Sequence, residues 1–381
     1  MRILAYTENY AAQTVTFIVN ELASVQQSHH LLLGYSVRKN AEQNNLNNMV
    51  LIPYKFNSIT NKLKWWLEQS QLYYWLFNYS FKKKLNETIL NFKPNLIHCH
   101  FGTDFLKVVA NLKKQNSHIP ILISFYGFDV TEQIKNKAIL KQYCNYLSLP
   151  NVFSIAVSKS LVNNINQFIK PHNKAQLLHS GIDTNFYTRK KYDLKPNEFI
   201  FLQVAHFNEK KGHKHTLEAF KLFINQNKKY NYKFIIVGFG PLKNDIVNQI
   251  NTLQLNDYVT VQEPVTPSQM VDLCSKVNCF VHMSITASNG NQEGLPNVLL
   301  EAMALELPIL STNHAGIPEI ITHNVNGILC DEKNINQYLE GFNKIVDWKI
   351  CPQNRIKIIE LFSLNAHMKQ LNDLYTKIAT S

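Results

Sequence analysis

Short apolar runs alternate with helix-period segments along the whole chain, and about halfway the alternation starts again. No other feature narrows the fold as much. An apolar run followed by an amphipathic stretch is a strand–helix unit, and a series of such units builds a parallel sheet with helices on both faces. In the first half the runs are Ile3–Tyr6, His30–Ser36, Met49–Ile52, Leu96–His100, Ile121–Phe125, Val152–Val157 and Ala175–His179, with helical patterns such as Val15–Val25 and Phe105–Lys114 between them. Residues 192–198, YDLKPNE, are polar, contain Pro196 and read as a linker. A new first strand, Phe199–Val204, opens the second half, and Phe234–Val237, Tyr258–Gln262, Cys279–Met283, Ile309–Thr312 and Gly327–Leu329 follow. The pattern predicts an α/β chain of two doubly wound, Rossmann-like domains, residues 1–190 and 191–360, facing a central cleft. A C-terminal helix within residues 361–381 is expected to pack back on the first domain. Ligands of such sheets sit beyond the carboxyl ends of the strands, so the loops there are the ones to search.

Charge adds one constraint. The net charge of +12 lies wholly in the first half, where residues 1–190 carry 21 Lys and Arg against 9 Asp and Glu; the second half balances at 18 against 18. Such an asymmetry suits an anionic membrane surface or an acidic substrate, and equally a plain solvated face. Residues 62–67 (KLKWWL), 72–77 (LYYWLF) and Lys82, Lys83 and Lys84 set aromatics beside lysines. That composition fits a bilayer interface as well as it fits a core-facing helix. No nucleic-acid recognition motif accompanies the charge, and no nucleic-acid partner is expected. The six cysteines form no CxxC pair and sit mostly among apolar neighbours, as reduced core thiols do. Residues 1–6 already read as a strand rather than a signal peptide, and no apolar run is long enough to span a bilayer. The expected location is cytoplasmic, with peripheral association on the inner face of the membrane through the basic half.

Three segments at predicted strand ends carry chemistry. In NQEGLPNVLLEAM, residues 291–303, Gly294 permits a turn and Pro296 suits the first turn of a helix, whose free N–H groups favour an anion. Glu301 falls inside that helix among apolar side chains, where a carboxylate is costly unless it receives hydrogen bonds. A sugar diol offers two donors to one carboxylate, and Glu293 could hold a second polyol. A cap for Glu293 and a basic partner for Glu301 are equally open readings. Residues 206–213, HFNEKKGH, follow a strand with two lysines and a glycine, which suits a phosphate or a solvated loop. Residues 237–241, VGFGP, lack the third glycine of a dinucleotide fingerprint and read as a tight turn. In the first half, residues 98–102 (HCHFG) and 124–129 (SFYGFD) follow strands. His98 and His100 share a strand face, but no third ligand is in evidence, so no metal is expected there.

Taken together and in order, EGLPNVLLEAMALELPILSTNHAGIPEII, EKKGHKHTLEAF, VGFGPL, the segment 178–186 (LHSGIDTNF), IHCHFG and SFYGFD resemble retaining glycosyltransferase family 4, which has the GT-B fold. The likeness covers nearly the whole chain, and Thr16, Phe17 and Ile18 of the opening segment resemble members acting in exopolysaccharide or lipopolysaccharide assembly. It implies a UDP- or GDP-sugar donor, a glycan or lipid-linked acceptor, and no cofactor or metal. By that resemblance Glu301 binds the ribose and Glu293 the transferred sugar near the reacting carbon. Gly294, Leu295 and Pro296 bring backbone to the donor, Gly240 and Val265 lie on its nucleotide side, and Lys211 neutralises the leaving diphosphate. His100, Tyr126 and Asp129 line the acceptor and donor-sugar side.

Three departures stand out. His206 occupies a position the family usually fills with Arg, and its charge depends on pH. Tyr126 stands where many members carry His. Residues 9–14, NYAAQT, replace a glycine-rich loop. A non-catalytic sugar-nucleotide or glycan-binding protein on the same fold, or another GT-B enzyme such as a sugar-nucleotide epimerase, is the alternative.

Overall fold

The computed structural model describes residues 1–10, 16–38, 46–52, 79–169, 174–192 and 194–380. These fall into two compact units, Met1–Gly181 with His367–Ser381, and Ile182–Ala366. The sequence placed the break after residue 190. It falls earlier because residues 182–192 fasten onto the second unit. There the Arg189 guanidinium donates to the carbonyls of Cys274, Ser275, Val277 and Leu305, and Arg355 donates to those of Thr184 and Tyr187.

In the first unit, strands β1 (Arg2–Tyr10), β2 (His30–Arg38), β3 (Met49–Leu51), β4 (Leu96–His100), β5 (Ile121–Phe125), β6 (Val152–Ala156) and β7 (Gln176–Leu177) form one sheet. Its order is β3-β2-β1-β4-β5-β6-β7, with every pair parallel. The central strands are buried throughout, which is why they read as unbroken apolar runs rather than alternating ones. Helices Thr16–Ser28, Tyr79–Phe92 and Gly102–Asn111 are among its connections, and the last fifteen residues, from helix Leu364–Ala379, join the same unit.

The second unit repeats the scheme. Strands β8 (Glu198–Val204), β9 (Asn231–Val237), β10 (Val259–Gln262), β11 (Cys279–His282), β12 (Ile309–Thr312) and β13 (Ile328–Cys330) pair in parallel in the order β10-β9-β8-β11-β12-β13. Phe201 of β8 anchors its core, packing edge-on against Phe220, Phe223, Phe234 and Phe342. In both sheets the chain reverses its direction of growth between the first strand and the fourth, β1/β4 and β8/β11. Loops part on opposite sides at such a switch point and leave a crevice beyond the strand ends.

The lysine- and aromatic-rich stretch expected to meet a membrane lies, over residues 62–78, outside the described residues. Of its remainder, Lys82 and Lys83 are exposed on helix Tyr79–Phe92. No helix among the described residues is long and apolar enough to cross a membrane. All six cysteines are unpaired, and five are buried.

Candidate functional site

The second unit gathers its chemistry beyond the β8/β11 switch point. After β8, residues 205–208 lead into a 3-10 turn, Glu209–Lys211, that ends at Gly212 and starts helix His213–Gln226. After β11, a long loop runs to Glu293 and into helix Asn297–Ala304. The two loops meet through charge. Lys211 Nζ lies 2.5 Å from Glu293 Oε1, and Lys210 Nζ lies 3.6 Å from Oε2. Glu293 is only 6% exposed. Burial alone would raise its pKa, but Lys210 and Lys211 more than offset that and hold the carboxyl well below the usual range. Burial in turn lowers the pKa of Lys211, against the pull of Glu293. Two ammonium groups against one carboxylate leave a surplus positive charge in a largely enclosed place, which favours an anion.

A second relay holds Glu293 from behind. His314, just beyond β12, accepts the Glu293 N–H at Nε2 (3.1 Å), and its Nδ1–H donates to Glu332 Oε1 (2.6 Å). Glu332, beyond β13, also accepts the Thr286 N–H at 2.6 Å. These bonds fix one neutral tautomer of His314, since Nε2 must be free of a proton to accept. Sequence reasoning missed both residues. His314 stood inside a quoted motif, and nothing in the sequence tied Glu332 to it.

His206 stands edge-on to Phe239, ring centroids 4.7 Å apart. Burial first, then the charges of Lys211 and Lys210, lower its pKa and so favour the neutral ring. Gly240, at φ 146°, fits close beneath: an added Cβ would lie 2.6 Å from the Phe207 carbonyl oxygen and 2.9 Å from His206 Cε1. Around this loop His206 Nδ1, Asn208 Oδ1, Gln203 Oε1 and both ring nitrogens of His213 and His282 are buried without a hydrogen-bond partner. Val265 is partly buried beyond β10.

Glu293, Gly294, Leu295 and Pro296 are all buried, and Pro296 is the N-cap of its helix, one position before the first turn. Glu301 is partly buried one turn in, and its partner is the Tyr187 hydroxyl rather than a basic side chain. Burial pushes the Glu301 carboxyl up to about 7, and the hydrogen bond from Tyr187 opposes the rise. Tyr187 directly follows the quoted 178–186 segment and was not singled out.

The first unit places the other three predicted residues after β4 and β5. His100 is fully enclosed, with Nδ1 2.9 Å from the Tyr126 hydroxyl. Asp129 is also fully enclosed; its Oδ2 accepts the Gly102 N–H and its Oδ1 the Gly127 N–H. Burial raises its carboxyl to about 6 despite those donors. Asp129 therefore clips the two loops together, and Tyr126 is the member of the three with surface to offer. Beside His98 and His100, helix Thr16–Ser28 places the Glu21 carboxylate, which the sequence did not tie to them.

Comparison with known proteins decides the family. Residues 57–186 match the model described as Glycosyltransferase Family 4, and residues 186–360 match Glycosyl transferases group 1. The chain belongs to the family 4 glycosyltransferases. Among relatives, the amylovoran biosynthesis glycosyltransferase AmsK of Erwinia amylovora is 29% identical over 246 residues, 63% of this chain and 58% of AmsK. The putative colanic acid biosynthesis glycosyltransferase WcaL of Escherichia coli K12 is 23% identical over 267 residues, 68% of this chain and 64% of WcaL. The alignments thus span about three fifths of those relatives' own length. Among solved structures, HepE from Anabaena in complex with UDP and glucose superposes with a TM-score of 0.78 at 14% identity, covering 99% of this chain and 100% of HepE. That likeness establishes the GT-B fold of the family for this chain.

Proposed function

We propose that the chain transfers a sugar, with retention, from a UDP- or GDP-sugar to a hydroxyl of a glycan or lipid-linked acceptor in cell-surface polysaccharide assembly. The observation that carries this reading is the Lys210–Lys211–Glu293 cluster at the switch point of the second sheet. The names of AmsK and WcaL, and the UDP and glucose bound by HepE, point the same way.

The site's residues take these parts. A diphosphate shares the two ammonium groups with Glu293, whose remaining lone pairs accept hydroxyls of the sugar. The bond from the anomeric carbon to the diphosphate breaks as the acceptor oxygen bonds to the same face, and the acceptor proton passes to the leaving oxygen. Charge on that oxygen grows as the bond loosens, so fixed cations stabilise the transition state more than the ground state. A neighbouring diphosphate favours protonated His206, which then adds a third positive charge. The anionic-surface partner of the basic half belongs to the same proposal, since a lipid-linked acceptor would be met at a membrane.

A thermal-shift screen against UDP, GDP and their sugars tests the reading, because a ligand of the native state raises Tm. One nucleotide series should stabilise the protein; no shift with either would remove the donor assignment.

Two further results are expected. Glu301 can accept a ribose diol only when ionised, and its carboxyl titrates at about 7. Donor affinity should therefore rise with pH through that value, changing about tenfold per unit below it. Glu301→Gln should flatten the dependence in calorimetric titrations, and a parallel slope would separate Glu301 from the donor. Glu332→Gln should lower kcat about tenfold, the scale of a slightly misplaced reacting group, while donor KM changes little. Steady-state kinetics check this; an equal loss in 1/KM would make Glu332 a binding residue instead.

A further inference from the structure

The first unit holds a cluster that lies outside the Lys210–Lys211–Glu293 site. Glu21, on helix Thr16–Ser28, His98 and His100, on β4, and His367, on helix Leu364–Ala379, meet in its interior, each no more than 6% exposed. Glu21 Oε1 lies 4.0 Å from His98 Nδ1 and 3.9 Å from His100 Nε2, and one ligand atom from each of the three residues falls within a 4.8 Å set. Glu21 Oε1 and His100 Nε2 are buried without a hydrogen-bond partner. Leaving a carboxylate oxygen and an imidazole nitrogen face to face and unbonded costs free energy that something must offset.

The opposite atom of each residue is already held. His98 Nε2 is 2.8 Å from Ser124 Oγ, His100 Nδ1 is 2.9 Å from the Tyr126 hydroxyl, and Glu21 Oε2 is 2.9 Å from His367 Nε2. His367 Nδ1 in turn donates to the His179 carbonyl at 2.7 Å. Outer partners of this kind orient the ligands of a metal and fix which ring nitrogen faces inward.

We propose that Glu21, His98 and His100 bind a transition-metal dication of the zinc type as a structural ion of the first unit. Two imidazoles and one carboxylate are the ligands that such ions take from side chains. Bonds of about 2.1 Å in a tetrahedron put ligand atoms about 3.4 Å apart, so each atom needs to close in by less than about 1 Å. The Tyr375 hydroxyl, 2.7 Å from His98 Nδ1, either turns aside or supplies a fourth oxygen. A small pocket lined by Phe17, Glu21, Tyr126, Ser180 and His367 lies beside the cluster. The ion ties the first helix to the fourth strand, the His367–Glu21 hydrogen bond joins the C-terminal helix to the same point, and the site stands independently of the transferase reading.

The test is metal content and spectroscopy of the full chain, produced once in zinc-supplemented and once in cobalt-supplemented medium and then desalted. About one equivalent per chain is expected, and the cobalt protein should show visible bands of a tetrahedral nitrogen–oxygen site without a thiolate-to-cobalt band. Chelation should lower Tm by several degrees. Glu21→Gln and His100→Gln should each cut the content below about a tenth of an equivalent, with the wild-type spectrum deciding alone if either variant fails to fold. Wild-type protein with less than that, a thiolate band that assigns the metal to cysteines, or full content in both folded variants would each overturn the proposal.

Discussion

Replacing Lys211 by alanine is expected to lower turnover about a hundredfold, the usual cost of removing one preorganised group that stabilises developing charge. Lys211 is the cation nearest Glu293 and sits at the end of a 3-10 turn aimed from β8, so its ammonium is positioned before any ligand arrives. The fold should survive, because Lys210 remains 3.6 Å from Glu293 and keeps that buried carboxylate from standing unpaired. Lys211→Met separates charge from packing: it keeps the apolar stem and should be as slow as alanine. Single-turnover rates with circular dichroism on both variants check this. A methionine variant within about threefold of wild type would show that the ammonium is not what the reaction uses.

The second large effect is on stability. Gly212 follows Lys211 at φ 66°, and a Cβ there would lie 1.9 Å from the Met283 carbonyl oxygen. Backbone blocks it, so no rotamer change relieves the clash, and the left-handed conformation adds its own cost for any L side chain. Gly212→Ala should lose about 2–4 kcal/mol of unfolding free energy, within the range for strained special positions. It should also slow turnover, since the turn that moves carries Lys211. Urea denaturation measures the first effect. An unchanged midpoint with an unchanged m-value would mean that the loops after β8 and β11 are not held this closely.

Much of this architecture could be read from the sequence. Strands buried on both faces appear as plain apolar runs, so β4, β5 and β12 match their expected bounds, Leu96–His100, Ile121–Phe125 and Ile309–Thr312. Edges were harder. β1 and β9 extend beyond their apolar cores, to Tyr10 and back to Asn231, because pairing with a neighbour rather than hydrophobicity sets those ends. The polar stretch around Pro196 looked like a boundary because composition marks exposed loops. It does not mark which unit a segment such as 182–192 packs against, and the bonds from Arg189 and Arg355 decide that.

Within the candidate site, each residue legible in advance lay in a local motif at a strand end: Lys211, Glu293, Glu301. Their supports lay elsewhere. Tyr187 reaches Glu301 and Glu332 reaches His314 through the fold, and no spacing rule joins them. Glu21 is the plainest case. On a helix it reads as one acidic side chain among apolar ones, and only the return of the C-terminal helix with His367 shows why a carboxylate is tolerated there. Asp129 illustrates the converse, since it sits in a motif yet spends both oxygens on backbone N–H groups.

Release of nucleoside diphosphate from a panel of UDP- and GDP-sugars, followed for the wild type and Lys211→Ala side by side, tests the central claim most directly. The account predicts release from at least one donor by the wild type and about a hundredfold slower release by the variant. Wild-type protein that is folded and binds a nucleotide but releases diphosphate from none of the donors, or a variant that releases it as fast, would contradict it.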